Sequence, residues 1–435
     1  MDQSKTFQGK LASYGVVNRE LSTGESWMTF WCLFCFCTMT MYNSIRVTPV
    51  LTDLGTIFGF TLSSSAFIVS AFAVAGLIFA FPSAWIMRTF GIKSTLLVAA
   101  IVSIIGTVMG LLVSDPTLFL FSRALEGCAF GIASVVVPNV IPRIFTPDKM
   151  GLVSGIWSLW VTPGLVLGFV TTPILFTSFG YLSLWIVSLA LEVICTVWLV
   201  CCVKLPAIPK NAIEMEQTSK KVTYKHVHWV STLAIALSMF CWGIVYGAVN
   251  TFYPTYLQVV KDMPLAMSSI VPLILALVTA PFGIIFGIIA GKTRTRKWFL
   301  VIPYLVAAVL YATIGFAENS NSVEPWIFAI GIGICAGGIP MATYALVPIL
   351  AEDPKKADYG MAVLAFSLQL ANVLIGFFGG IVEALGFYMA SLLVLVPFAI
   401  LGAVIALVSV GDKKALAEQD QERMDDQVLL KEELA

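Results

Sequence analysis

Four charged side chains stand inside long apolar runs: Arg46, Arg123, Glu126 and Glu192. An arginine at bilayer depth costs roughly 2.5–3.5 kcal/mol on insertion scales, so it faces protein or a watery cavity and is functional by default. Tyr42, Arg46 and Pro49 follow i, i+4, i+7 spacing and share one helix face. A guanidinium is a planar, permanently charged fork suited to carboxylates and other oxyanions, and tyrosines add hydroxyls and ring surface. The bland alternative is an Arg46 near the end of its helix that snorkels to headgroups. Arg123 and Glu126 are i, i+3 neighbours, close enough to pair along one helix. That pair either fixes packing or acts as a proton-coupled switch in which protonation of Glu126 frees Arg123. Glu192 stands alone in its segment and is read as peripheral. Gln369 and Asn372 are amides three apart in an apolar segment, where amides seek a partner, so they are expected as walls of a polar pocket.

The elements that must position these residues follow from composition. Of 435 residues, 59% are hydrophobic and 11% charged, where a soluble domain carries about a quarter charged. A bilayer crossing takes about 20 mostly apolar residues. Twelve stretches qualify, near 26–51, 62–87, 94–113, 116–141, 150–176, 180–203, 229–257, 266–290, 298–317, 325–350, 359–382 and 386–410. The fold class expected is an all-α membrane protein with a six-helix bundle at 26–203 and another at 229–410. A polar tail (1–25), a linker (204–228) and a C-terminal tail (411–435) flank and join them. Of the 25 Lys and Arg, only Lys261 falls outside, while Arg46 and Arg123 lie within spans; the rest occupy one face. Such asymmetry predicts both termini in the cytoplasm of a bacterial-type inner membrane. The first residues lack the apolar core of a cleaved signal peptide.

The halves repeat. The shift that lays Tyr42 on Tyr246 also lays Arg46 on Asn250, Ser64 and Ser65 on Ser268 and Ser269, and Arg88 on Lys292. It preserves the direction of each helix, so the repeats are parallel and are expected to surround a midplane site. Tyr246, Asn250 and Tyr253 then form the stripe opposite Tyr42 and Arg46. A slightly longer shift sets Trp157 on Phe366 and Trp160 on Gln369, which adds Trp160 to the expected wall.

These features resemble the major facilitator superfamily. The loop Ser83–Lys93 keeps Arg88, Gly91 and Lys93 of the family's G-x-x-x-D-x-x-G-R-K/R signature but has Met87 at the acidic position; the second copy, Gly287–Lys297, has Gly291 there. Arg123-Ala-Leu-Glu-Gly-Cys-Ala-Phe-Gly131 is similar to the family's R-x-x-Q-G-x-G/A pattern. The run Tyr42–Leu51 and Leu62-Ser-Ser-Ser65 resemble cyanate-porter and nitrate-porter-related carriers, whereas Trp160–Gly164 only loosely echoes the drug-antiporter motif. The resemblance implies a monomeric secondary transporter working by alternating access, with a small anion held by Arg46 and a coupling ion, H+ first among candidates. Efflux of aromatic or amphipathic compounds and a non-transporting receptor are the rival readings.

Other chemistries lack their residues. The nine cysteines lie in apolar runs, which disfavours disulfides, and His226 and His228 sit in the linker. No phosphate-binding loop or HExxH array occurs, so no metal, cofactor or enzymatic step is expected. No basic patch with interleaved aromatics suggests nucleic acid. The charge asymmetry makes a direct prediction. A reporter fused after Lys210 or at the C-terminus should read as cytoplasmic, and one inserted near Ser320 as external; the reverse pattern would break the topology.

Overall fold

The computed structural model describes residues 13–17, 19–146, 149, 152–153, 156–157, 159–206, 229–292, 298–318, 323–350 and 354–409. The linker from 207 to 228 with both histidines, the basic loop 293–297, the tail after 409 and residues 1–12 lie outside them.

The first half holds α1 (Thr23–Ile45), α2 (Phe67–Phe90), α3 (Ile92–Leu112), α4 (Pro116–Val136), α5 (Val161–Phe179) and α6 (Leu182–Cys202). The second holds α7 (Trp229–Val259), α8 (Leu265–Lys292), α9 (Trp298–Leu310), α10 (Glu324–Leu350), α11 (Pro354–Leu385) and α12 (Val396–Ser409), the last entered through Phe387–Ala390 and a π turn. Eleven helices among the described residues are long and apolar enough to span a membrane. The twelfth, α1, has 23 residues and is more polar. It packs among the others through Phe30, Leu33, Phe34 and Phe36. Exposed apolar side chains such as Val98, Ile101 and Ile105 form the outer face of α3, as expected where lipid is the solvent.

The expected first span, 26–51, is corrected. The α-helix stops at Ile45, a 3-10 turn covers Thr48–Val50, and a short helix, Leu51–Phe58, leads away. Pro49 is the cause, since it lacks the N–H and its ring clashes with the carbonyl one turn back. Within the expected span at 150–176, α5 is described from Val161, and residues 152–153 and 156–157 before it are also helical.

Local signals set the other ends. Ser22 and Glu25 cap each other's backbone at the start of α1. Asp115 caps α4 ahead of Pro116. The chain before α1 is fastened to the end of α6, where strand β1 (Val16–Val17) pairs in parallel with β2 (Leu205–Pro206). Lys93 Nζ donates to the carbonyls of Val200 (2.7 Å) and Val203 (3.0 Å). Glu25 binds Arg19 (2.6 Å) and Lys204 (3.0 Å). Hydrogen bonds from Arg19, then Lys204, hold this exposed carboxyl well below the usual carboxylate range.

Helix pairs cross closely at glycines. A Cβ on Gly127 would lie 2.0 Å from the Phe72 carbonyl oxygen, and one on Gly131 2.1 Å from that of Gly76, so α4 meets α2 backbone to backbone. In the second half the equivalent pair, α8 and α10, meets at Gly337, whose Cβ would lie 2.6 Å from the Gly283 nitrogen. Small residues serve such approaches in membranes. A Cβ on Gly283 itself would make only ordinary contact, at 3.6 Å. Gly127→Ala should therefore cost about 1–3 kcal/mol of stability, as overpacking does, and Gly283→Ala much less. Thermal unfolding of the two purified variants checks this, and equal melting temperatures would contradict it.

Candidate functional site

The charges of the first half converge in its interior. Arg46, Arg123 and Glu126 are fully buried, and Glu192 is 5% exposed. Glu126 Oε1 accepts from Arg46 Nη2 at 2.5 Å and from Thr107 Oγ1 at 3.0 Å, while Oε2 accepts from Arg123 Nη1. One carboxylate thus faces two guanidiniums. The Arg123 Nη2 also donates to the Asn43 carbonyl at 2.8 Å. Arg46 donates from Nη1 to Asn43 Oδ1 (2.7 Å) and to Ser188 Oγ. Asn43 passes the network on, its Nδ2 donating to Glu192 Oε1, which also accepts from Ser103 Oγ at 2.6 Å. Aromatic faces cover both cations, Trp185 over Arg46 at 4.6 Å and Phe72 over Arg123 at 5.0 Å. Two cations and two carboxylates from α1, α4 and α6, with α3 supplying hydroxyls, make a set that is formally neutral when all are ionised.

This placement differs from the sequence reading at three points. Arg46 does not present its fork to a midplane cavity; it turns into its own half, where Asn43 one turn back and Ser188 take Nη1 and Glu126 takes Nη2. Glu192 is not peripheral. Asn43 and Ser103 draw it into the network. Tyr253 lies inside the second half among Tyr256, Phe316 and Phe328, away from the stripe it was expected to join. The Arg123–Glu126 pair forms, with Arg46 as a third member that spacing along α4 could not reveal.

Of the remaining expected residues, Gln369 lies where the halves meet. α11 packs against α2, with Gly376 set against Ser70 and Gly379 against Ala66. Gln369 reaches across to Gly76: a Cβ there would lie 3.0 Å from Gln369 Nε2. Asn372 donates to Gln369 Oε1 at 3.2 Å and faces Gly247 of α7. Tyr246 stacks on Trp242, and Asn250 Nδ2 donates to the Tyr246 carbonyl at 2.9 Å. Tyr42 is buried, its hydroxyl 3.4 Å from Thr171. Trp160 stacks on Trp157 and leans on Phe130. Asn250 Oδ1 and Gln369 Nε2 are buried without a partner among the described residues.

The halves are tied at the face opposite the termini. Glu383 of α11 accepts from the Ser63 backbone N–H at 2.7 Å, at the N-terminal end of the short helix Leu62–Ser65 that leads into α2. A carboxylate is favoured at such an end by the helix dipole. Gln258 of α7 donates to the Pro49 carbonyl at 2.8 Å. Ile45, Leu165, Phe169 and Ala276 close the same interface between α1, α5 and α8.

A profile of the Major Facilitator Superfamily matches residues 30–352. The chain belongs to that superfamily. As a member it is a multi-pass membrane protein. It is 27% identical over 137 residues to the arabinose-proton symporter of Escherichia coli K12, covering 32% of this chain and 28% of the relative. It is 26% identical over 129 residues to the galactose-proton symporter of the same strain, covering 29% of this chain and 27% of the relative. The match thus spans less than a third of these relatives' length. In three dimensions it superposes on a D-xylose-proton symporter with TM-score 0.70 at 13% identity, covering 88% of this chain and 97% of that one. A bacterial homolog of the human lysosomal transporter Spinster, inward-facing and unoccupied, gives 0.68 at 14% identity, covering 90% and 96%. The fold is therefore that of the superfamily.

Proposed function

We propose that this transporter moves a small, neutral, polyhydroxyl solute by alternating access, driven by protons, with both termini cytoplasmic. The halves 26–203 and 229–410 rock as two units about a site between them. The observation that carries the substrate class is the pair of unpartnered buried amide atoms, Asn250 Oδ1 and Gln369 Nε2. An acceptor and a donor left bare cost about 1–3 kcal/mol each, a cost that a ligand hydroxyl removes because it can both donate and accept. Tyr246 stands beside Asn250, and Asn372 beside Gln369; Tyr42 and Trp160 are proposed to add ring surface from the first half. The names of the sugar-proton symporters that share part of the sequence support the same class and the proton as coupling ion.

A second reading keeps the anion expected from the cyanate- and nitrate-porter resemblance. One observation favours it: Arg46 Nε is buried without a partner among the described residues. An anion would have to compete with Glu126 for the same guanidinium, and no such competition faces a neutral solute.

Thermal stabilisation of the purified protein separates the two, since a ligand raises the melting temperature by mass action. Arabinose, D-xylose and galactose should stabilise the wild type, and Asn250→Ala or Gln369→Ala should weaken the effect about tenfold in affinity, or roughly 1.4 kcal/mol. Stabilisation by cyanate, nitrate or small carboxylates alone, abolished in Arg46→Gln, would hand the assignment to the anion.

A further inference from the structure

We infer that Glu192 is the group that takes up and releases the proton, while Glu126 stays ionised as a fixed counter-ion. The inference rests on the proton-coupled reading above and names the residue that performs it.

The two carboxylates differ in what surrounds them. Each oxygen of Glu126 faces a guanidinium, and the third partner, Thr107, donates as well. A proton on either oxygen would point at a donor and would leave two buried arginines without a counter-charge. Breaking a buried ion pair from one side costs about 3–5 kcal/mol. Glu192 has no such constraint. Its Oε1 accepts from two neutral donors, Asn43 Nδ2 and Ser103 Oγ, and its Oε2 has no partner among the described residues. A proton on Oε2 meets no opposing donor and breaks no ion pair.

Geometry leaves space beside Glu192. Glu192 lines a cavity of about 10 Å³ with Thr40, Asn43, Ser103, Cys195 and Thr196. That is near the smallest volume that admits one water. Phe36, Met39 and Ala100, also on its wall, precede Asn43 and Ser103 on α1 and α3, so the cavity extends from Glu192 toward the face that carries the termini. The charged and titratable groups around Glu192 are few. Arg46 faces it from α1, Arg123 and Glu126 from α4, and Cys195 from its own helix. α3 offers only the hydroxyls of Ser103 and Thr107, and α5 holds no titratable residue.

Protonation has a mechanical consequence. Asn43 bridges Glu192 to Arg46, accepting from Arg46 and Ser188 on Oδ1 while donating to Glu192 from Nδ2. Neutralising Glu192 turns a charge-assisted bond into an ordinary one, about half as strong. It also leaves the cluster with one net positive charge. Both changes act on the end of α1, where Ile45 packs against Ala276 of the second half, so the proton biases a helix that meets the other half.

Infrared difference spectra of the full-length protein in lipid, stepped between about pH 5 and about pH 9, read the site without any solute. Subtracting a variant's spectrum from the wild type's cancels the surface carboxyls. The titrating band of a buried carboxylic acid should vanish in Glu192→Gln and shift in Glu192→Asp. A band unchanged in Glu192→Gln overturns the inference. In proteoliposomes, Glu192→Gln should lose uptake of D-xylose driven by a pH gradient and keep D-xylose counterflow, which needs no net proton movement. Gradient-driven uptake equal to wild type would overturn the inference from the side of transport. If the band is lost in Glu192→Gln but the wild type moves no solute with the gradient, the proton site stands and the coupled-transport reading falls.

Discussion

A single carboxylate, Glu126, balances two arginines in the dry interior of the first half, and much of that bundle is arranged around this need. Ionised groups in a low-dielectric interior are tolerated only when paired and hydrogen-bonded. Glu126 provides the pairing, and the hydrogen bonds come from the other helices: Asn43 from α1, Thr107 from α3 and Ser188 from α6. Trp185 and Phe72 close over the cations and exclude competing solvent. α1, α3, α4 and α6 are therefore held in register by polar contacts as well as by packing. Among its described residues the second half has no counterpart. At the position equivalent to Arg46 it carries Asn250, whose bonds are local and incomplete.

That asymmetry divides the work. Under the proposed function, the charges that respond to a proton belong to the first half, inside its own core, whereas the amides that meet a solute belong to the second half, from which Gln369 reaches across to Gly76. α1 carries Asn43 and Arg46 in the network and Ile45 at the interface. Backbone contacts through glycine at α2–α4 and α8–α10 make each pair stiff, because packed interiors do not deform continuously. Motion is thereby left to the contacts between halves. There the tie at Glu383–Ser63 is exposed to solvent, and the one at Gln258–Pro49 is partly buried.

Much of the fold was legible in the sequence because hydropathy and span length are direct consequences of the bilayer. The twelve spans and the parallel repeat follow from them, and the break in α1 follows from Pro49 once it is weighed against the apolar run. The Arg123–Glu126 pair was legible because i, i+3 spacing on one helix fixes proximity. Arg46 was harder. It shares one flank of α1 with Tyr42 and another with Asn43, and the choice between them is made by Glu126 and Ser188, 80 and 142 residues away. Glu192 carried no local signal, since its partners Asn43 and Ser103 come from other helices. Tyr253 fails for the same reason: the face of α7 that meets Phe316 and Phe328 cannot be told from the face that meets α11 by spacing alone.

The central claim is that Arg46 is buried for the sake of Glu126. A double-mutant cycle on thermodynamic stability in detergent micelles tests it most directly. Arg46→Met should cost about 3–5 kcal/mol in the wild type, because it leaves the two buried carboxylates, Glu126 and Glu192, with Arg123 as their one remaining cation. The same substitution in a Glu126→Gln background should be neutral or stabilising, because it removes a stranded cation. Costs that agree within about 0.5 kcal/mol in the two backgrounds, the signature of independent sites, would contradict the account.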